Sequence, residues 1–452
     1  MTRSPGPPAA VVPVGPVDPL DPADPLVGAP PRRWPALRWS PTLGKLVELA
    51  FTHTATFAFP LVFAVVCGRT LGLHDYGVVA FYTALAAFLG MFVEFGFDWY
   101  GVREVAPRLG EPAHCHRVLV NITVAKLLLC ALALGVTLAL LLGLRGVHEW
   151  PLMAASAGYL IGFAADPSWF LRAHERTRLM LAVTTTVRLA GIAVLLLLVP
   201  RLASMTAALG VYALVAVAGS GINWAMLLRH DLARPARVEW RYLLQLLRGS
   251  WAIVLGNLNG ALLTNGGVAL LGLQADPATV ASANLALRVR MAAEGALLPL
   301  NQLGYVRLSA RAQESVAATF RLGRKVLVAN LALAVLLSIV CMLAAPMVSQ
   351  VVFKEEVPLA VSLILLLALS LPLHSVAGLF GIQSLVALGR EGRYALIQIG
   401  ASLVFCVALL LNTTPQAYGW AVLLAETTVL LASALALIRI GAIEPQGEAA
   451  RA

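Results

Sequence analysis

From near residue 46 to near residue 438 the chain repeats one pattern: an apolar block about twenty residues long, then a short stretch of Gly, Pro or charge. A helix needs about 20 apolar residues to cross roughly 30 Å of hydrocarbon. A membrane strand would instead show ten-residue alternation, and the blocks do not alternate. Punctuation predicts helices near 46–68, 77–97, 118–142, 150–170, 179–199 and 206–228, then 250–271, 279–303, 325–348, 357–379, 394–411 and 416–438. The expected fold class is all-α: a polytopic membrane protein of about twelve transmembrane helices in two six-helix lobes.

The basic residues supply an independent check, because interior loops of membrane proteins accumulate Lys and Arg. With both termini inside, the interior connections carry Arg103, Arg108, Arg117, Arg172, Arg176, Arg178, Arg229, Arg234, Arg237, Arg241, Arg248, Arg307, Arg311, Arg321, Arg324, Lys325, Arg390 and Arg393. The exterior connections carry only Arg69, Arg145, Arg201 and Lys354. An odd helix count would invert half of this bias, so the even count and the inside termini support each other. The expected organisation is a disordered Pro-rich N-terminus (1–43), a first lobe (44–230), a cytoplasmic linker (231–249), a second lobe (250–440) and a cytoplasmic tail (441–452). Leu71-Gly72-Leu73 and Leu271-Gly272-Leu273 fall in the first exterior turn of each half, as duplicated halves of like orientation would place them. The longer interior links, near 98–117, 229–249 and 304–324, mix apolar with basic residues and suit short interfacial helices.

Composition narrows the class further. At 59% hydrophobic and 12% charged residues, the chain has too few charges to cover a water-facing surface. The net charge of +10 is scattered between apolar blocks rather than gathered on one module, so it orients helices and implies no nucleic-acid partner. Cys67, Cys115, Cys130, Cys341 and Cys406 are spaced too widely for a zinc or CxxC motif, and no metal is expected. No connection is long enough for a catalytic domain, so the chain does not read as an enzyme.

Ionisable residues inside the apolar blocks carry the chemical information, since such groups face a bundle interior or water rather than lipid. Arg188 sits near the middle of the fifth predicted helix, and Arg288 and Arg290 near the middle of the eighth. Two residues apart on a helix is about 200°, so one of that pair faces a cavity and the other is paired between helices. Glu294 lies one turn beyond Arg290 on the same stripe, suited to a buried pair, and Asn284 with Arg288 forms a second stripe of donors for phosphate or sugar hydroxyls. Lys126 is shallower and can snorkel or face the cavity. Glu426 is deep in the twelfth helix without a sequence partner, and Glu94 and Asp98 stand one turn apart at the inner end of the second. Asn257, Asn259 and Asn265 with Gly256, Gly260, Gly266 and Gly267 make the seventh helix either a flexible cavity wall or a small-residue helix interface. Trp169, Trp224 and Trp240 fall near interior boundaries, where belt anchors belong. Several arginines on a central path favour an anionic substrate, and a lipid pyrophosphate bearing sugars fits such a field.

Three stretches resemble a known group. Pro60, then Arg69-Thr70-Leu71-Gly72, Asp75-Tyr76-Gly77, Glu94-Phe95-Gly96 and Gly101-Val102-Arg103-Glu104 form the first; Asp166-Pro167-Ser168-Trp169-Phe170-Leu171-Arg172 is the second; the Leu271-Gly272 turn is the third. Over roughly 44–438 the chain resembles the bacterial polysaccharide transport family, the O-antigen and exopolysaccharide flippases of the multidrug/oligosaccharidyl-lipid/polysaccharide exporter superfamily. Val280-Ala281-Ser282-Ala283-Asn284 departs from the glycine and tyrosine more usual at the start of that family's eighth helix. The resemblance implies movement of an undecaprenyl-pyrophosphate-linked oligosaccharide to the outer leaflet of the bacterial inner membrane by alternating access. It implies no organic cofactor, coupling to H+ or Na+, a monomer, and transient contact with glycan-assembly membrane proteins. Carried onto this chain, Arg188, Arg288, Arg290, Asn284 and Lys126 become cavity candidates, and Glu294, Glu426 and Glu94 coupling carboxylates. Arg69, Asp98, Arg103 and Arg172 match motif positions suited to loop geometry or gating. Against this stand an exporter of the multidrug branch, a membrane glycan polymerase or ligase, and a lipid-binding scaffold.

Overall fold

The structure, a computed structural model, describes residues 41–145, 149–312, 316–386 and 388–449. The expectation of disorder for the Pro-rich start therefore falls almost wholly outside the described residues. α1 (Pro41–Glu94) holds the first two predicted passes in one run, broken at Gly72. There φ is +83° and ψ 178°, a conformation open to glycine and strained for any residue with a Cβ. α2 (Phe97–Val105) and one 3-10 turn (Ala106–Arg108) form the short interior helix expected in the 98–117 link. α3 (Pro112–Arg145), α4 (Trp150–Ala165), α5 (Ser168–Ala173), α6 (Thr177–Leu202) and α7 (Met205–Arg229) complete the first lobe. The predicted 150–170 helix is cut short because Asp166 precedes Pro167 and turns extended, at ψ 119°.

The second lobe contains α8 (Trp240–Ala261), a π turn (Leu262–Gly266), α9 (Gly267–Leu271), α10 (Pro277–Ala312), α11 (Val316–Phe353), α12 (Pro358–Gly378), a π segment (Leu379–Val386), α13 (Glu391–Leu411) and α14 (Ala417–Ala449). By length and composition, nine stretches among the described residues can cross a membrane. The first of them, Ala58–Arg108, contains two passes, α4 has only 16 residues, and α10 carries Arg288, Arg290 and Glu294 within its apolar run. With those three passes the count reaches the twelve expected.

Packing separates the lobes. α4 and α6 lie on α7, and α3 on α4; α10 lies on α11 and α12, and α14 on α12 and α13. Gly162 lets α4 approach the α7 backbone so closely that a Cβ would fall 2.6 Å from Val217 N. Between lobes, the second half of α1 runs against α8 and α9: Gly96 meets Ile253, Gly266 meets Phe88, and Gly272 meets Phe81. The exterior end is tightest. A Cβ on Gly77 would fall 1.8 Å from the Pro277 carbonyl oxygen, and one on Gly68 2.4 Å from Val352 Cγ1. The Tyr76 and Phe353 rings meet there, tilted by 50° with 6.1 Å between their centres.

The interior end of the first lobe is closed by a cluster of Phe97, Val118, Ile122, Phe170, Leu227 and Leu246. Trp169 is fully buried in it, over Gly101, so it is a core residue and not the belt anchor its sequence position suggests. The α5 turn folds it under the lobe, a contact made by the Asp166-Pro167 break. Trp224 donates from Nε1 to the Ala165 carbonyl at 2.7 Å, while Trp240 is exposed at the start of α8.

Candidate functional site

Two of the cavities among the described helices are lined by intramembrane ionisable residues, one in each lobe. The first-lobe cavity, ≈ 330 Å³, is bounded by Tyr159, Asp166, Arg172, Arg188, Tyr212 and Asn223. Arg188 reaches it from the middle of α6, and its Nη1 is buried with no hydrogen-bond partner among the described residues. Arg288 comes from α10 in the other lobe and donates to Asn265 Oδ1 at 3.3 Å; no carboxylate among the described residues pairs with it. Of these two arginines only Arg188 lines one of the two cavities; Arg288 and Asn284, both expected from the sequence on the cavity wall, lie outside both linings. Asn284, one turn before Arg288, is buried with its Oδ1 unpartnered among the described residues.

Arg290 points elsewhere, as the 200° offset from Arg288 requires. The second-lobe cavity, ≈ 310 Å³, is lined by Arg290, Glu294, His374, Tyr394, Gln398 and Glu426 among others. Arg290 donates from Nε to Glu294 Oε1 and from Nη2 to Glu426 Oε1, both at 2.6 Å. Glu426 Oε1 also meets His374 Nδ1 at 2.9 Å. On the opposite wall Asn259 donates to Gln398 Oε1 at 2.5 Å, and Gln398 donates to the Tyr394 hydroxyl. The polar seventh pass serves both roles proposed for it. Asn257, Asn259, Gly256 and Gly260 line the cavity, whereas Gly266 and Gly267 pack against Phe88, Phe405 and Tyr418. The π turn at 262–266 and the π segment at 379–386 flank this cavity, and π bulges concentrate at functional sites.

Lys126 neither snorkels nor stands free. It is 2% exposed, and its Nζ lies 2.9 Å from Glu94 Oε2 and 3.2 Å from the Asp166 carbonyl. Asp166 in turn accepts from Asn223 at 2.8 Å, and Arg172 reaches Asp98 at 3.1 Å. Lys126, Glu94, Asp98 and Arg172 therefore tie the end of α1 to α2, α3 and α5 at the interior end of the first lobe, where Arg172 itself lines the cavity. Arg69 is exposed at the exterior end of the first pass, and Arg103 is exposed with its guanidinium 5.1 Å from the Tyr100 ring.

Sequence reading did not reach His374, Gln398, Tyr159 or Tyr212. His374 carried a signal, as the one ionisable group in the apolar run of α12. The tyrosines carried none, because an aromatic in an apolar helix looks alike whether it faces a cavity or a neighbour.

The family described as "Polysaccharide biosynthesis protein" matches residues 46–306, from the first pass into α10. A putative O-antigen transporter of Shigella dysenteriae is 26% identical over 270 residues, 58% of this chain and 66% of the relative. One of Escherichia coli (strain K12) is 22% identical over 395 residues, 86% of this chain and 94% of the relative. Among solved structures, an inward-facing multidrug resistance MATE family transporter of the MOP superfamily aligns with a TM-score of 0.66 at 14% identity, covering 88% of this chain and 99% of that one. The lipid II flippase MurJ, inward closed, aligns with 0.65 at 11% identity over 86% of this chain and 87% of its own. At such identities the likeness speaks to the fold alone, a multi-pass α-helical architecture. The family match, spanning more than half of the sequence, goes further: this chain belongs to the polysaccharide biosynthesis protein family.

Proposed function

We propose that this protein is a bacterial inner-membrane flippase that moves an undecaprenyl-pyrophosphate-linked oligosaccharide from the cytoplasmic to the outer leaflet by alternating access. The observation that carries the reading is a contrast among the intramembrane cations. Lys126 and Arg290 are each neutralised by carboxylates at 2.6–2.9 Å, whereas Arg188 and Arg288 have no acidic partner among the described residues. An uncompensated charge away from water costs several kcal/mol, a cost that a bound anion removes. Two such cations, one per lobe, match a pyrophosphate, and guanidinium is the side chain best shaped for bidentate phosphate contact. Binding the headgroup between them links substrate to the relative position of the lobes. The two named O-antigen transporters and the likeness to a lipid II flippase support the substrate class.

Glu294 and Glu426 of the second-lobe cavity are the carboxylates placed to couple this movement to a cation gradient. A multidrug exporter, to which the fold likeness applies equally, calls for acids free to receive a cationic drug; here both acids are tied to Arg290. The test is leaflet-resolved accumulation of lipid-pyrophosphate oligosaccharide in cells lacking the protein. Build-up on the cytoplasmic leaflet, reversed by wild type but not by Arg188→Ala at equal abundance, is the expected result. An unchanged leaflet distribution on deletion sinks the reading.

A further inference from the structure

We propose that the second-lobe cavity exchanges a proton rather than a metal cation, and that His374, held by Glu426, is the group that takes it up and releases it. The proposal rests on the cation-coupling reading above and narrows it to one ion and one carrier. Exposure is the first argument. The His374 side chain is 43% exposed, against 5% for Glu426 and 4% for Arg290, so of these cavity-lining groups the imidazole is the one most open to cavity water.

The surrounding groups leave the imidazole as the variable one. α10 contributes Arg290 and Glu294, α14 contributes Glu426 and Tyr418, and α13 contributes Tyr394 and Gln398. Tyr418 donates to the Leu263 carbonyl at 2.8 Å, and Tyr394 accepts from Gln398. One guanidinium against two carboxylates leaves a charge of −1 when the imidazole is neutral and zero when it is protonated. In the neutral ring Nδ1–H donates to Glu426 Oε1, and Nε2 has no partner among the described residues. A proton from cavity water attaches to the Nε2 lone pair while the Nδ1 bond stays in place, and the cluster passes from −1 to zero. Release reverses the step without moving any heavy ligand.

A metal cation meets a different situation. Hard cations need several oxygen ligands, and Glu294 Oε1 and Glu426 Oε1 each already accept from Arg290 at 2.6 Å. A guanidinium is all donor with no lone pair, so it cannot ligate a metal and repels one at the oxygens it holds. His374 also sits a turn before the π segment Leu379–Val386, the kind of irregularity that concentrates at functional sites.

The experiment uses the full chain in proteoliposomes on a solid-supported membrane, without glycan substrate, recording charge displacement after a pH step and, separately, after a Na+ step at constant pH. The expected result is displacement by the pH step, none by the Na+ step, and loss of the pH response in His374→Gln. Displacement by Na+ alone overturns the proposal while cation coupling stands. Displacement by neither ion overturns both, and leaves the arginine-based glycan reading to the leaflet assay. A pH response that persists in H374Q overturns the assignment to His374. Should H374Q fold poorly, ¹⁵N-histidine NMR of the wild-type protein decides: an imidazole whose titration follows the displaced charge is expected, and its absence overturns the proposal.

Discussion

Replacing Gly77 with alanine should push the lobes toward the outward-open state. The new Cβ would sit 1.8 Å from the Pro277 carbonyl oxygen, 2.4 Å from its carbon and 2.9 Å from its Cα. All three atoms are backbone, so no rotamer change relieves the clash. Ordinary contact begins at 3.4 Å, and the two helices must therefore part by about 1.6 Å at the exterior end. Overpacking of this kind costs about 1–3 kcal/mol. The cost falls on the state in which the exterior ends touch and vanishes once they separate. A bias of about 1–3 kcal/mol corresponds to a change of roughly 5- to 150-fold in the conformational equilibrium. The assay is a spin-label distance between His74→Cys and Lys354→Cys, both exposed in exterior turns of opposite lobes, with the native cysteines replaced. Wild type should give one dominant short distance and Gly77→Ala a second, longer population. An unchanged distribution would refute the reasoning, whether the protein keeps its melting temperature or loses it, because the strain would then be absorbed locally or by the whole fold.

Three further outcomes follow from the ion pairs and caps. Arg290→Met should cost about 3–5 kcal/mol, the range for stranding a buried charge, because it takes the guanidinium from both Glu294 and Glu426, with Glu426→Leu added to it regaining much of the loss; additive losses in the cycle, read as melting temperature and abundance, would argue against the pair. Lys126→Met should lower abundance by leaving Glu94 alone at the interior end of the first lobe, and adding Glu94→Gln should restore it; abundance that is normal in the single variant removes the tie assigned to this pair. Asp276, in the exterior turn before α10, accepts from Thr279 Oγ1 at 2.7 Å and from its backbone N–H at 3.1 Å, which holds its carboxyl below the ordinary value near 3.8. A depressed value stabilises the fold above the unfolded pKa and loses that contribution as pH falls through the folded one. Wild type should therefore be more stable than Asp276→Asn at neutral pH, with the gap closing below about 3.8; a gap independent of pH would contradict the cap.

The fold was legible because a bilayer imposes its thickness on the sequence. Block length gave the twelve passes, and the arginine bias gave their direction, since each depends on one segment and its flanks. The same locality predicted the Arg290–Glu294 pair, one turn apart, and the divergence of Arg288 from Arg290. Tertiary structure decided what lies opposite. Glu426 had no partner in sequence because Arg290 and His374 come from other helices, and Lys126 could not be placed until α1 set Glu94 beside it. Gly72 and Gly272 look like one repeated motif, yet the first turns the chain at positive φ while the second admits Phe81 against the helix. Periodicity and charge along a chain report its environment one segment at a time; which cation is neutralised by a carboxylate depends on packing between segments far apart in sequence.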